Sequence, residues 1–304
     1  MTSTLVALIA RGGRDPLTVG AAALLLTACG GGGGDAPAPP PSPSVSSVVV
    51  GTAKYSQTVP ITVNGTNLDQ GLSVSLATPA ACKNLTHVGT ASPTAAQYQC
   101  TASGVGVNQV VVTPVGGGAV LGTGNFTVPA PQVTLTVSNS PGVVSGNIVV
   151  TLDPTKTPIT VDNFLAYVNA NFYAGLIFHR VVANFVIQGG GYTPIIGGVV
   201  PAPKPTNAPI VLEVGKGLSN LKWTIAMARA AGADTATSQF FINLQDNLGL
   251  DPSATSAGYA VFGAVTTGTD VVTAIVGAPC APIGGFSECA PNPNMVISAA
   301  VQTQ

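Results

Sequence analysis

Three stretches of this 304-residue chain place polar donors beside aromatic and aliphatic side chains. The first is Phe178-His179-Arg180-Val181-Val182-Ala183-Asn184-Phe185-Val186-Ile187-Gln188-Gly189-Gly190-Gly191. The second is Thr224-Ile225-Ala226-Met227-Ala228-Arg229, followed by Ala236-Thr237-Ser238-Gln239-Phe240-Phe241-Ile242-Asn243, and the third is Gly258-Tyr259-Ala260-Val261-Phe262-Gly263. Beyond Cys29 the chain has two arginines, Arg180 and Arg229, and both fall inside these stretches. A guanidinium is permanently charged, planar and rich in donors, so one fixed beside an apolar pocket can stabilise charge that localises on an amide nitrogen or a carbonyl oxygen. On composition alone, an arginine on a β-rich surface also reads as a solvated charge. His179, a lone histidine beside an apolar strand, reads as a hydrogen-bonded structural residue.

Strand alternation decides which of these side chains share a surface. Val186 and Gln188 lie two apart, as do Gln239 and Phe241, which leaves Ile187 and Phe240 for an interior. Around them, short β-prone runs recur at 133–137, 148–152, 177–181, 185–188, 223–228, 239–244, 259–265 and 295–301. Thr157-Pro158 reads as an N-cap followed by proline at the first helical position. Val161, Phe164, Leu165 and Val168 then form one apolar stripe at helical spacing, with Asp162 and Asn163 facing outward. A second helix fits 269–276. Many strands and two helices in so short a span predict a closed β-barrel capped at its ends.

Upstream, residues 45–129 carry β-prone runs at 45–50, 59–63, 72–76, 98–101, 110–113 and 126–128, separated by Gly, Asn and Pro, which suits a small sandwich. Val59-Pro60-Ile61-Thr62-Val63-Asn64-Gly65-Thr66-Asn67-Leu68 is similar to the opening strands of immunoglobulin-like modules. No ionisable cluster or aromatic platform marks a ligand site there, so the module reads as a spacer. Pro129-Ala130-Pro131 marks the boundary with the second domain, 131–304.

The three polar-apolar stretches, in this order and spacing, closely resemble the cyclophilin family, above all its bacterial periplasmic members. The resemblance also takes in Asp162-Asn163-Phe164 and Gly268-Thr269-Asp270-Val271-Val272. It implies a mainly β chain: an eight-stranded cyclophilin-like barrel with two capping helices, preceded here by the immunoglobulin-like sandwich. It also implies peptidyl-prolyl cis-trans isomerase activity on Pro-containing segments of exported proteins, assisting their folding. Arg180 corresponds to the catalytic guanidinium, and Gln188 to the amide that orients it and binds substrate backbone. Phe185, Val186, Phe241 and Leu250 correspond to the proline pocket, Ala228, Arg229 and Gln239 to the peptide groove, and Tyr259 to its edge.

The chain departs from the family pattern at several positions. Gly249 stands where relatives place Trp or Phe at the pocket rim, Val186 replaces Met, Asn184 replaces Gly, and Trp223 occupies a position usually held by Gly. The Pro-rich loop 195–209 is expected to reshape the approach to the groove. The thin rim at Gly249 supports an alternative reading, a weakly active or inactive cyclophilin-fold module that binds or chaperones Pro-containing segments.

Only 7% of residues are charged and the formal net charge is -1, which argues against nucleic acid as a partner. Arg11 and Arg14 precede an apolar run at 17–28 that is too short for the ~20 residues of a membrane-spanning helix, so 1–28 reads as an export signal. Leu26-Thr27-Ala28-Cys29 resembles a bacterial lipobox, which implies lipid on Cys29, and the Gly- and Pro-rich segment 29–44 reads as a tether. Gly30 lacks the Asp of an inner-membrane retention signal. The expectation is therefore a periplasmic monomer anchored by lipid, to the outer membrane rather than the inner. The remaining cysteines fall two to a half, and an oxidising compartment predicts the disulfides Cys82–Cys100 and Cys280–Cys289. No zinc or other metal is expected, because neither spacing is Cys-x-x-Cys and the chain holds two histidines, and no cofactor is expected.

Overall fold

Period-two burial builds both parts of the chain. The structure, a computed structural model, describes residues 41–140, 142–199, 202–283 and 286–304. The signal 1–28, Cys29 and tether residues 29–40 lie outside the described residues. The first part contains β1 (Ser44–Val50), β2 (Thr58–Thr66), β3 (Leu72–Leu76), β4 (Cys82–Val88), β5 (Ala95–Ala102), β6 (Gly106–Pro114) and β7 (Gly122–Val128). They form two antiparallel sheets, ordered β1-β2-β5-β4 and β3-β6-β7. Val59, Ile61 and Val63 of β2, Val110 and Val112 of β6, and Phe126 and Val128 of β7 are buried in the core. Strand β4 has no counterpart in the sequence reading, because Lys83-Asn84-Leu85-Thr86-His87 lacks apolar alternation. It forms through pairing with β5 and through the Cys82–Cys100 bond, whose Cα atoms lie 5.6 Å apart.

The second part contains β8 (Gln132–Asn139), β9 (Ser145–Leu152), α1 (Pro158–Asn169), β10 (Leu176–Val182), β11 (Val186–Gly189), β12 (Thr224–Met227), β13 (Phe240–Asn243), β14 (Val261–Thr267), α2 (Thr269–Gly277), β15 (Cys280–Ile283), β16 (Phe286–Pro291) and β17 (Met295–Gln302). The order β11-β13-β12-β14-β9-β8-β17-β10, with β10 also paired to β11, closes an eight-stranded barrel. Ile187, Ile225, Met227, Phe240, Ile242 and Phe262 are buried in the same core as Phe164 of α1. The Phe164 ring lies 5.1 Å from that of Phe262 and 5.7 Å from that of Phe240, centroid to centroid. Among the described residues α1 and α2 are the only α-helices.

Thr157 is the N-cap of α1 and Pro158 its first residue, but Thr157 makes no side-chain cap bond; its hydroxyl donates back to the Asp153 carbonyl at 3.3 Å. The first turn of α1 is capped from a distance by Glu213, whose Oε2 accepts from the Thr160 amide at 2.7 Å and from its hydroxyl at 2.8 Å. Asp162 and Asn163 are half-buried and partnered: Asp162 pairs with Lys83 of β4 at 3.1 Å, and Asn163 Nδ2 donates to the Thr237 carbonyl at 2.7 Å.

Residues 41–304 pack as one compact unit. Gln302 of β17 accepts from Gln57 at 3.2 Å and donates to the Tyr55 carbonyl at 2.8 Å, which joins the sandwich to the barrel. The β15–β16 hairpin is also new relative to the sequence reading. It is cross-linked by Cys280–Cys289, with Cα atoms 5.2 Å apart, and pairs with β10 through Cys289 opposite Val181.

Candidate active site

The site lies on the outer face of β10, β11, β12, β13 and β14. Register places Gln188 opposite Phe241, Phe241 opposite Ala226, and Ala226 opposite Val261, so alternate residues of four strands line one surface. Val186, Ala226, Phe241 and Val261 form a small apolar cluster here, flanked by Phe185, Ala228, Leu250 and Tyr259. Arg180 joins this face because the β10–β11 register shifts between Phe178 and Arg180. In an unbroken strand, residues two apart share a face; the bulge leaves Phe178 in the core and turns Arg180 outward, opposite Gln188.

These side chains enclose a cavity of about 160 Å3, lined by Arg180, Phe185, Val186, Gln188, Ala228, Arg229, Phe241, Leu250 and Tyr259. A second depression of about 270 Å3 shares Gln188, Ala228 and Arg229 and adds Ala230, Thr235, Thr237 and Gln239. Drug-sized pockets run from ~300 Å3 upward, so the first cavity suits a single ring rather than a large ligand. Arg180 Nη1 donates to Gln188 Oε1 at 3.3 Å, and Gln188 Nε2 donates to Gln239 Oε1 at 3.0 Å. The Arg180 guanidinium carbon lies 5.8 Å from the Phe185 ring centroid. Burial pulls the Arg180 pKa below its ordinary value and Tyr259 opposes it; an arginine remains charged throughout.

Arg229 differs in its partners. Its Nε donates to the Gly258 carbonyl at 2.9 Å, its Nη1 to Ala230 at 3.0 Å and to Gly232 at 3.3 Å, and its guanidinium stacks 4.7 Å from the Tyr259 ring centroid. With its donors on backbone, it builds the wall between the two depressions.

The sequence reading left out a supporting amide network. Asn247 Nδ2 donates to the Phe185 carbonyl and to Asn243 Oδ1, both at 2.8 Å, and Asn243 Nδ2 donates to Thr224 Oγ1 at 2.9 Å and to Asn220 Oδ1 at 3.2 Å. Asp251 closes the network by accepting from the Asn220 amide and side chain at 2.8 Å each, and from Ser219. Burial raises the Asp251 pKa, but the Ser219 and Asn220 donors outweigh it and the net shift is downward. Phe185 is thereby held by a side chain 62 positions away, and the Leu250 amide donates to the carbonyl of the same Asn247 at 2.8 Å. The signal was a run of amides among apolar strands. Glu288 of β16 was missed as well: its carboxylate accepts from Arg180 Nε.

Several expectations need correcting. His179 is a buried structural residue whose ring packs 4.7 Å from Tyr192 and 5.2 Å from Phe286, and its Nδ1 has no hydrogen-bond partner among the described residues. Among the described residues of the loop 195–209, none lines either depression. The Ile195 backbone instead bonds the Asn294 side-chain amide, its N–H donating to Oδ1 at 3.0 Å and its carbonyl accepting from Nδ2 at 2.9 Å, and Lys204 Nζ donates to the Phe172 carbonyl at 2.6 Å. Trp223 and Asn184 have φ of 68° and 57°, the left-handed region that glycine occupies freely. Asn tolerates that region, whereas a bulky residue is strained there. At Gly249 an added Cβ would meet nothing within 4 Å, so the rim has room for a side chain.

The model of the family described as cyclophilin type peptidyl-prolyl cis-trans isomerase/CLD matches residues 133–301. The chain belongs to this family. It is similar to the peptidyl-prolyl cis-trans isomerase of Acinetobacter baylyi, with 46% identity over 158 residues that cover 52% of this chain and 81% of that protein. Identity with peptidyl-prolyl cis-trans isomerase A of Dickeya dadantii is 43%, covering 52% of this chain and 80% of that one. With peptidyl-prolyl cis-trans isomerase B of Escherichia coli it is 40%, covering 52% and 95%. A crystal structure of a cyclophilin type peptidyl-prolyl cis-trans isomerase from Cryptosporidium parvum, in the presence of the dipeptide Ala-Pro, superposes at a TM-score of 0.45 with 20% identity, covering 57% of this chain and 99% of that one. The cyclophilin barrel of this chain catalyses cis-trans isomerisation of X-Pro peptide bonds.

Proposed function

We propose that Arg180 is the donor that meets the twisted amide, and that the enzyme acts on X-Pro segments of exported polypeptides from a lipid anchor. Rotation about an X-Pro bond crosses a barrier of ~18–20 kcal/mol and takes ~10–100 s unaided. In the twisted state the nitrogen lone pair is localised, so a donor fixed at that position acts in the transition state more than in the ground state. The observation that carries the assignment is the placement of Arg180 at the lip of the apolar cavity, tied to Gln188 and through it to Gln239. Phe185, Val186, Phe241 and Leu250 grip the ring; Gln188 and Gln239 hold substrate backbone; Ala228, the stacked Arg229 and Tyr259 border the peptide groove. A protease-coupled assay on a Pro-containing peptide, run with and without a chelator, tests this. A folded Arg180→Ala protein that works at the parental rate would overturn it.

The cellular setting rests on the sequence: the run 17–28, the lipobox-like Leu26-Thr27-Ala28-Cys29, and cysteines that divide two and two. The enzyme is then a periplasmic lipoprotein monomer, anchored to the outer membrane through Cys29, with the immunoglobulin-like sandwich as spacer. Two or more acyl chains, at ~0.8 kcal/mol per buried methylene, make such an anchor stable. Cys29→Ser should move the protein into the soluble fraction; a variant that still pellets after a carbonate wash would refute the lipid anchor.

A further inference from the structure

We infer that Glu288 is a positioning residue for the isomerisation, holding the Arg180 guanidinium in its working orientation from a disulfide-braced hairpin. The inference rests on Arg180 being the catalytic donor. The chain has two glutamates: Glu213 caps α1, and Glu288 accepts a hydrogen bond from Arg180 Nε.

An arginine side chain has four rotatable bonds, and the single bond from Nη1 to Gln188, at 3.3 Å, leaves the guanidinium free to swing about that contact. A second anchor on Nε fixes the plane. It also leaves the Nη2 protons and the second Nη1 proton for the substrate, because Glu288 and Gln188 use one proton each.

The carboxylate itself stands on a fixed base. Glu288 precedes Cys289, which is bonded to Cys280 and lies opposite Val181, the residue after Arg180. Phe286, two residues before Glu288, packs 5.2 Å from His179 and 5.0 Å from Tyr192. The covalent link, the strand pairing and the aromatic contact all bear on the segment that carries Glu288, so the anchor is rigid before substrate arrives. The side chains of Arg180 and Glu288 are 27% and 44% exposed, which makes the pair a weak contributor to fold stability. Its effect lies in the orientation of the donor, and a donor that acts in the transition state shows this in kcat.

The test is a double-mutant cycle on the full chain in the protease-coupled assay, with melting temperature measured for every variant. Glu288→Ala is expected to lower kcat about five- to tenfold with KM within about twofold. Glu288→Gln, whose amide oxygen still accepts the Nε proton, is expected to recover most of that loss. In an Arg180→Ala background, Glu288→Ala is expected to change the rate less than about twofold, since its effect runs through the guanidinium. Parental or faster turnover in Glu288→Ala overturns the inference, as do a loss carried by KM, a Gln variant no better than Ala, or an equal loss without Arg180. Parental rates in Arg180→Ala remove the reading of Arg180 and this inference with it. A slow Arg180→Ala beside a full-rate Glu288→Ala removes Glu288 alone. Should Glu288→Ala not fold, solvent exchange of the Arg180 Nε proton in the parent decides: slowing of about tenfold or more against free arginine supports the anchor, and free exchange overturns it.

Discussion

On one wall of the cavity Arg180 is tied to Gln188 and Glu288, Gln188 to Gln239, and a cross-linked hairpin stands behind them. On the opposite rim, the short 3-10 turn Leu248–Leu250 leaves Gly249 facing open space, and Leu248 is exposed. The first wall is built from groups that hold each other's geometry, and the second supplies little more than Leu250 and Tyr259. Orientation and grip are thus separated in space. Changes on the Arg180 wall should appear in turnover, and changes at the Gly249 rim in affinity.

The largest effect is expected from removing the donor. Arg180→Ala should lower kcat/KM by roughly two orders of magnitude, the usual consequence of losing one fixed transition-state donor. Its melting temperature should hold, because the side chain borders a groove and its loss opens no core cavity. Arg180→Lys should be nearly as poor, since an ammonium cannot occupy the Gln188 and Glu288 contacts together in one plane. Protease-coupled rates and circular dichroism on both variants check this.

The same wall has a pH-sensitive point in His179. Burial holds its pKa down to about 4; a backbone interaction with Ile177 opposes that shift and Arg180 adds to it. The depressed folded-state value means that the unfolded chain binds more protons between about 4 and 6.5. The stability contributed by the neutral imidazole is full above the unfolded pKa and is lost as pH falls toward 4. The loss amounts to about 3 kcal/mol over that window. His179→Phe should flatten this part of the melting temperature profile; an unchanged slope would show that the acid sensitivity lies in the carboxylates.

Filling the thin rim should sharpen the contrast from the other side. By family resemblance cyclosporin packs against a rim tryptophan, so the parent should bind it weakly. Gly249→Trp should tighten binding by roughly tenfold, from a contact of ~1–3 kcal/mol. An inhibition curve that does not move would mean that the added indole lies away from the cavity.

The smallest expected change in rate comes from unbracing the hairpin. Replacing Cys280 and Cys289 by Ser opens a loop with a sequence separation of 9, worth about 2.5 kcal/mol in chain entropy. Turnover should fall by about two- to fivefold, less than for Glu288→Ala, because the Val181 pairing and the Phe286 contacts persist. A fall as deep as that of Glu288→Ala would mean that the disulfide alone positions the carboxylate.

By itself the sequence determined which side chains face which way along each regular element. Period two separates Ile187 and Phe240 from Val186, Gln188 and Phe241, and the i, i+3, i+4 stripe of α1 selects Phe164 for the core; these depend only on backbone geometry within a few residues. The ordered motifs also contain eight of the nine residues that line one cavity, and the family resemblance added the ninth, Leu250. Only the tertiary structure decided the exceptions to alternation and the partners of polar groups. The bulge that turns Arg180 away from the side of Phe178 is invisible to a strict period of two. So are strand β4 and the hairpin that carries Glu288, both short of apolar alternation and stabilised by pairing and cross-links. Glu213 on α1, Asn247 on the Phe185 carbonyl and Glu288 on Arg180 are separated from their partners by 53, 62 and 108 positions. A donor takes whichever acceptor the closed barrel brings beside it, and local propensity carries no record of that choice.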